Sequence, residues 1–407
     1  MIPMNIKKLL LDKTVERERI EFKKNWDTET SLKTVCAFAN DVENLGGGYI
    51  VIETIEEEIN NLQKKILEAC ELIYPEYQPI IEVDEYGGKT YILIWCIGGS
   101  YRPYALYEMK TKGNWDKRYY IRKGSTTVIP NEEELSDLFN LVNNIPFDDR
   151  VNYDAELYDL NLTLIRSYLR ETGSALYEQS GKMDFQTLCT NMNLISVLPE
   201  YVKPKNVALM FFNLEPEKYF PYAQIDVVSF PDGEGGNEIV EAIFKGPLQD
   251  QLRSALRYIQ NSYITEKVIK YPDRAEADRF FNYPYEAVEE ALANAVYHKG
   301  YDEREPIEVR ILADRMEIIS HPGPDRSVTP EGLAQYRVFN RRYRNRRIGE
   351  FLKELHLTEG RNTGFMKILR ATEKNGSPMP LFETDEYRSY FATTLFVHEA
   401  FKEPERH

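Results

Sequence analysis

In the segment Glu16-Arg17-Glu18-Arg19-Ile20-Glu21-Phe22-Lys23 two carboxylates, Glu16 and Glu21, stand five positions apart with a lysine two beyond. If Ile20 and Phe22 alternate inward on a strand, Glu21 and Lys23 share its opposite face. A carboxylate pair with a third acid can hold a divalent cation, Mg or Mn, that polarises a phosphoryl oxygen or activates water while the lysine neutralises developing charge. Glu56, with Glu53 near it after the following strand, is the candidate third ligand. The plainer reading is a solvated strand edge knitted by ion pairs, which composition favours. A second group lies in Glu286–Tyr301, where Glu290, Asn294 and His298 recur every four residues and line one face of a helix whose buried side is Val288, Ala291, Leu292 and Ala295. A cleft-facing glutamate can activate water and an asparagine one turn on can coordinate magnesium. A polar face with i,i+4 pairs is the ordinary alternative.

Two basic segments complete the set. Lys110, Lys112, Lys117, Arg118, Arg122 and Lys123 surround Trp115, Tyr119 and Tyr120, with Asp116 as the only acid, which suits phosphate contacts flanked by stacking surfaces. The competing reading is a solvated hairpin whose aromatics pack inward. Arg341-Arg342-Tyr343-Arg344-Asn345-Arg346-Arg347, just before a helix at Ile348–Leu355, favours contacts to nucleotide phosphates or a neighbouring subunit over nucleic-acid reading. A solvated basic loop is the alternative.

The elements that must hold these residues read as follows. Leu32, Val35, Cys36, Ala39 and Val42 predict a helix over 31–44, ended by Gly46-Gly47-Gly48, with a strand at Tyr49–Ile52. This glycine run goes from helix to strand with no Lys-Ser/Thr behind it, so it reads as a tight turn and not a phosphate loop. Glu56–Ile73 reads as helical, Pro79–Val83 and Thr90–Ile97 as a hairpin closed by Asp84–Gly88, and Tyr119–Arg122 as one more strand. Pro146–Arg150 reads as a linker. Beyond it come helices at Leu160–Thr172 and Phe185–Met192, β-rich text at Val207–Phe212 and Ile225–Phe230, helices at Pro247–Ile264 and Pro284–Val296, and strands at Ile307–Leu312 and Arg315–Ile319. A helix at Phe365–Asn375 and a strand near Tyr390–Val397 follow. There is no internal repeat and no βαβ rhythm, so the expected class is α+β.

At 407 residues the chain should form two or three domains. No apolar run approaches the roughly 18 residues of a membrane helix and the start lacks a signal-peptide core, so we expect a cytoplasmic protein without a membrane partner. The four scattered cysteines read as buried free thiols. With 51 Lys+Arg against 66 Asp+Glu the net charge is −15, which excludes indiscriminate coating of nucleic acid and puts any such role on a local basic patch.

Five blocks in order resemble the Schlafen AlbA-type domain over about residues 10 to 140: Glu16…Glu21-Phe22-Lys23, Cys36-Ala37-Phe38-Ala39-Asn40, Gly46–Ile52, Arg102-Pro103-Tyr104 and Tyr119–Ser125. The resemblance implies a metal-dependent RNase centre, as in eukaryotic members, or DNA binding, as in prokaryotic regulators. It assigns Glu16 and Glu21 to the first two acids, with Glu56 as the third. Residues from about 200 to 398 resemble the GHKL ATPases. That likeness implies ATP and magnesium, gives Glu290 the water-activating role and Asn294 the magnesium-binding one, and sets His321-Pro322-Gly323-Pro324 at the first glycine box. Gly360-Arg361-Asn362-Thr363-Gly364 stands at the second box, leading into a helix whose N–H groups would meet phosphates. Residues 327–345 would be a lid, with His298 and Arg346 near the nucleotide. Together these imply a Schlafen AlbA-like mixed α/β domain at 1–145, a helical connector at 146–200 and a GHKL-like α/β sandwich at 201–407, in a chain expected to be a homo-oligomer. Two functions are open: a nucleotide-controlled nuclease acting on RNA or DNA, in defence against foreign nucleic acid such as phage, or an ATP-sensing DNA-binding regulator that cuts nothing. The sequence leans slightly to the first.

Overall fold

A computed structural model of the chain describes all residues except 1, 12–18, 44, 100, 112–113, 199, 271, 274–275, 326–327, 339–343, 359–363 and 403–407, with side chains also left out at 109–111, 114–115 and 140–144. The chain divides into two compact units, Met1–Ile145 with Val197–Val202, and Pro146–Ser196 with Lys203–His407.

The first unit runs α1 (Ile6–Leu11), β1 (Ile20–Lys23), α2 (Thr28–Asn40), β2 (Gly48–Thr54), α3 (Ile59–Cys70), β3 (Ile73–Tyr74), β4 (Ile80–Tyr86), β5 (Lys89–Cys96), β6 (Ala105–Thr111), β7 (Asn114–Tyr119), β8 (Ile121–Lys123), β9 (Thr126–Val128) and α4 (Glu132–Asn144). The main sheet has the order β1-β2-β5-β4, with β1 parallel to β2 and the other pairs antiparallel. Asp27 caps α2 by accepting from the Thr30 N–H at 2.9 Å. The helix stops at Asn40, short of the predicted 44, because Asp41 turns into the left-handed region at φ 34°. Gly47, at φ 74°, has Cys96 O only 1.9 Å from where a β-carbon would sit, so this turn into β2 admits only glycine. Leu32, Val35, Phe38 and Ala39 then pack with Ile50, Ile52, Ile92 and Ile94 to form the core. The β4–β5 hairpin closes through Gly87 and Gly88, both at positive φ, as the expected loop chemistry requires. A smaller sheet, β3-β6-β7, and the β8–β9 hairpin complete the unit. The predicted strand 119–122 is in fact two strands, with Tyr120 between them.

The second unit runs α5 (Leu162–Glu171), α6 (Leu176–Gln179), α7 (Phe185–Asn191), β10 (Ile195–Val197), β11 (Val202–Pro204), α8 (Asn206–Phe212), β12 (Ile225–Ser229), β13 (Val240–Phe244), α9 (Leu248–Tyr263), β14 (Glu266–Ile269), β15 (Asp278–Phe281), α10 (Tyr285–His298), β16 (Ile307–Ile311), β17 (Arg315–Ser320), α11 (Pro330–Ala334), α12 (Arg346–Glu354), α13 (Gly364–Asn375), β18 (Leu381–Glu383) and β19 (Phe391–Phe396). A mixed sheet of order β13-β12-β16-β17-β19-β18 is covered by α9 and α10, with α13 packed on α10. Strict alternation turns Val227, Val309, Met316 and Ile318 inward. On the other face Arg310 and Arg315 both pair with Glu317, at 3.1 and 2.6 Å. The mixed helix-and-sheet class read from the sequence holds. Val207–Phe212, read as strand, is the helix α8: every residue is buried, and an apolar run buried all round carries no period to tell the two apart. All four cysteines are free and buried. No helix among the described residues is long and apolar enough to cross a membrane.

Pro146–Arg150, expected as a linker, is packed. Asp148 is fully buried and its Oδ2 accepts from the Ile348 N–H, 2.9 Å away at the start of α12. Its other oxygen is buried without a hydrogen-bond partner among the described residues. Burial pushes its carboxyl up from 3.8 to about 6, against the pull of the α12 N–H groups. Between those values the folded protein holds this proton and the unfolded chain has released it. Stability should therefore fall as the pH rises from about 4 to 6, by about 3 kcal/mol for two pKa units. Urea titrations across that range should show the slope in the wild type and its loss in Asp148→Asn; an unchanged slope in the variant would assign the dependence to other groups.

Candidate functional site

In the first unit, β1 presents Glu21 and Lys23 side by side, with Lys23 Nζ 2.8 Å from Glu21 Oε1. Thr34 Oγ1 donates to the same oxygen at 3.3 Å, and Arg122 Nη1 donates to Oε2 at 2.7 Å. The Glu21 carboxylate is thus neutralised by two cations, and the Arg122 guanidinium also lies 4.8 Å over the Phe38 ring. Glu53 pairs with Lys89 at 2.9 Å, and Glu56 is exposed in the helical turn after β2. Glu16 lies outside the described residues. Among the described residues no group of three His, Cys, Asp or Glu is placed to hold a metal ion.

The basic ribbon divides by face. Glu108 lies opposite Asp116 and Leu106 opposite Arg118, so these point one way, while Tyr107 lies opposite Lys117 and Ala105 opposite Tyr119 on the other. On the first face Arg118 sits 3.3 Å from Asp116 and 3.6 Å from Glu108. Tyr120 is a correction to the sequence reading: it is buried in the core, its hydroxyl donates to Glu108 at 2.6 Å, and a ring so placed cannot stack a base. Lys123 pairs with Glu134 at 2.5 Å. Lys112 and the side chains of Lys110 and Trp115 lie outside the described set.

The sequence reading missed the role of Asn40, which joins three of the signature blocks. Its amide Nδ2 donates to Tyr104 O at 3.0 Å and Tyr120 O at 2.8 Å, and its Oδ1 accepts from the Tyr104 N–H at 2.7 Å. Arg102 Nη1 then donates to Asn40 O at 3.2 Å and Asp41 O at 2.7 Å.

In the second unit α10 carries Glu290, 8% exposed, and Asn294 one turn later. The first residue of α13 is set against both: a β-carbon on Gly364 would lie 2.6 Å from Glu290 Oε1 and 2.6 Å from Asn294 Nδ2. Lys367, one turn into α13, is 3.5 Å from Glu290 Oε2. A carboxylate, an amide, a lysine and the N-terminus of a helix therefore converge, which fits the phosphates of a nucleotide with magnesium. Gly360 and Thr363 lie outside the described residues. His298 is less suited to a phosphate: burial, then Arg344, pulls it down to about 4, so it is neutral near pH 7.

Arg344 and Arg347 of the arginine run act on the protein itself. Arg344 donates to His298 O at 2.7 Å and Gly323 O at 3.0 Å, tying the end of α10 to the first glycine segment. Buried Asn345 donates to Tyr297 O and Lys299 O, two more carbonyls left open at that helix end. Arg347 donates to Met192 O at 3.3 Å, while Arg346 is exposed and pairs with Glu350 at 3.4 Å. Arg341 and Arg342 lie outside the described residues.

Residues 16–131 match the family model "Schlafen, AlbA_2", and residues 304–395 match "Putative ATP-dependent DNA helicase recG C-terminal". The second match begins after α10, so Glu290 and Asn294 stand on the geometry above. Among solved structures, the DIP2311 protein from Corynebacterium diphtheriae aligns over 93% of this chain at 16% identity with a TM-score of 0.45, and the chain spans 65% of that protein's length. The N-terminal domain of a RecG-related protein from Nitrosomonas europaea aligns over 31% of this chain and 91% of its own, at 22% identity and a TM-score of 0.21. No curated protein matches the chain.

Proposed function

Because the chain carries a Schlafen AlbA_2 domain ahead of a RecG C-terminal-like ATPase domain, we propose that it binds nucleic acid through its first unit under the control of ATP held by its second. The observation that carries this reading is the seating of Gly364, at the start of α13, on the Glu290–Asn294 pair. In this reading Asn294 would hold the magnesium that neutralises phosphate charge, and Glu290 faces the same place as the candidate base. The neutralised Glu21 carboxylate favours a binding role for the first unit over a catalytic one. A homo-oligomer belongs to the same reading, and sedimentation measures it directly.

The test is binding of labelled tRNA, single-stranded DNA and duplex DNA with and without ATP and magnesium. Nucleic-acid affinity should change with ATP in the wild type and lose that response in Asn294→Ala. Failure to bind any of the three would sink the proposal. A metal-dependent nuclease in phage defence is the second reading, favoured by the Glu21–Lys23 pair on β1. Cleavage with Mg or Mn that disappears in Glu21→Gln would put it first.

A further inference from the structure

One face of the β3-β6-β7 sheet carries three tyrosines, Tyr74, Tyr107 and Tyr119. Tyr74 lies opposite Ala105 in register, Ala105 opposite Tyr119, and Tyr107 opposite Lys117, so Tyr74, Tyr107, Lys117 and Tyr119 share one surface. Tyr74 is 55% exposed and Tyr107 36%, and their rings meet edge to face with centroids 6.2 Å apart. Exposed Lys117 places its ammonium 5.2 Å from the Tyr74 centroid and 5.5 Å from that of Tyr119. No carboxylate of the described residues pairs with this lysine, because Glu108 and Asp116 occupy the opposite face. Neither Tyr74 nor Tyr107 belongs to the run of basic residues legible in the sequence.

We infer that this face is a stacking platform for single-stranded nucleic acid, with Tyr74 and Tyr107 receiving unpaired bases and Lys117 meeting the adjoining phosphate. The inference rests on the nucleic-acid reading of the first unit and narrows it. Unpaired bases expose flat faces that a tyrosine can cover, whereas bases in a duplex are already stacked on one another. One cation between two rings also suits a strand held by stacking better than a duplex held by rows of phosphate contacts.

Fluorescence anisotropy on the full chain with labelled oligo(U), oligo(dT) and a duplex of mixed sequence tests it, the first two arms distinguishing RNA from DNA. Single strands should bind more tightly than the duplex, and alanine at Tyr74 or Tyr107 should weaken single-strand binding roughly tenfold each. Phenylalanine at either position should keep affinity within about twofold, because the ring and not the hydroxyl does the stacking. Lys117→Gln should lower the salt dependence by about one phosphate contact. A Tyr74→Ala/Tyr107→Ala protein with an unchanged circular dichroism spectrum and undiminished single-strand binding would overturn the platform alone. A wild type that binds none of the probes would instead overturn the proposed function beneath it.

Discussion

Asn40→Ala should lower the stability of the first unit by about 4 kcal/mol, because three buried backbone groups lose its amide: two are left unpaired at about 1–3 kcal/mol each, and Tyr104 O keeps only the weak Cys36 thiol bond at 3.4 Å. Those groups are Tyr104 N–H, Tyr104 O and Tyr120 O, all bonded to the one fully buried amide. Asn40 sits at the end of α2 against core residues Cys36 and Tyr104. Asn40→Asp should fare little better: its oxygens still accept from the Tyr104 N–H, but one now faces two carbonyls with no proton to share. Urea unfolding followed by tryptophan fluorescence measures both variants. A loss below about 1 kcal/mol for the alanine protein would show that the three groups find other partners. The same variant should loosen the link between α2 and the β8 segment that carries Arg122, and so disturb the Glu21 pair at a distance.

Gly364→Val should reduce ATP affinity roughly a hundredfold, about 2.8 kcal/mol of binding. The β-carbon alone would stand 2.6 Å from both Glu290 Oε1 and Asn294 Nδ2, well inside contact distance, so either α13 or the two side chains must move. Alanine should give an intermediate loss and valine the full one, since the branched side chain adds two methyl groups to the same space. Calorimetric titration with ATP and magnesium reads the effect, and a thermal melt separates it from unfolding. Wild-type affinity in Gly364→Val would mean that nucleotide does not use this cradle.

How much of this was legible beforehand depends on how far the deciding interaction reaches along the chain. The α2 and α10 helices followed from apolar spacing, the β4–β5 hairpin from Gly87-Gly88, and the alternation of β16 and β17 from their text. Each is set by residues within a turn or two. The α8 helix was misread because complete burial erased its period, and that burial comes from elements distant in sequence. The Arg341–Arg347 run read as contacting nucleotide phosphates or a neighbouring subunit, yet its Arg344 turns back on the carbonyls at the end of α10, 46 residues away. A cation near free carbonyls satisfies them wherever the ligand is, and no local pattern announces it.

The candidate residues divide the same way. Residue type and spacing by themselves set Glu290 and Asn294 on one helical face and Glu21 beside Lys23 on one strand face, because helix and strand periods are local properties of the backbone. Only the tertiary structure decided what those groups meet. Arg122 reaches Glu21 across 101 residues and makes it half of an ion pair, Gly364 arrives on the Glu290–Asn294 pair from another helix, and strand pairing gathers Tyr74, Tyr107 and Lys117 onto a single face. Which charges cancel and which surfaces stay open depends on chain segments brought together by folding, and spacing along the sequence does not carry that information.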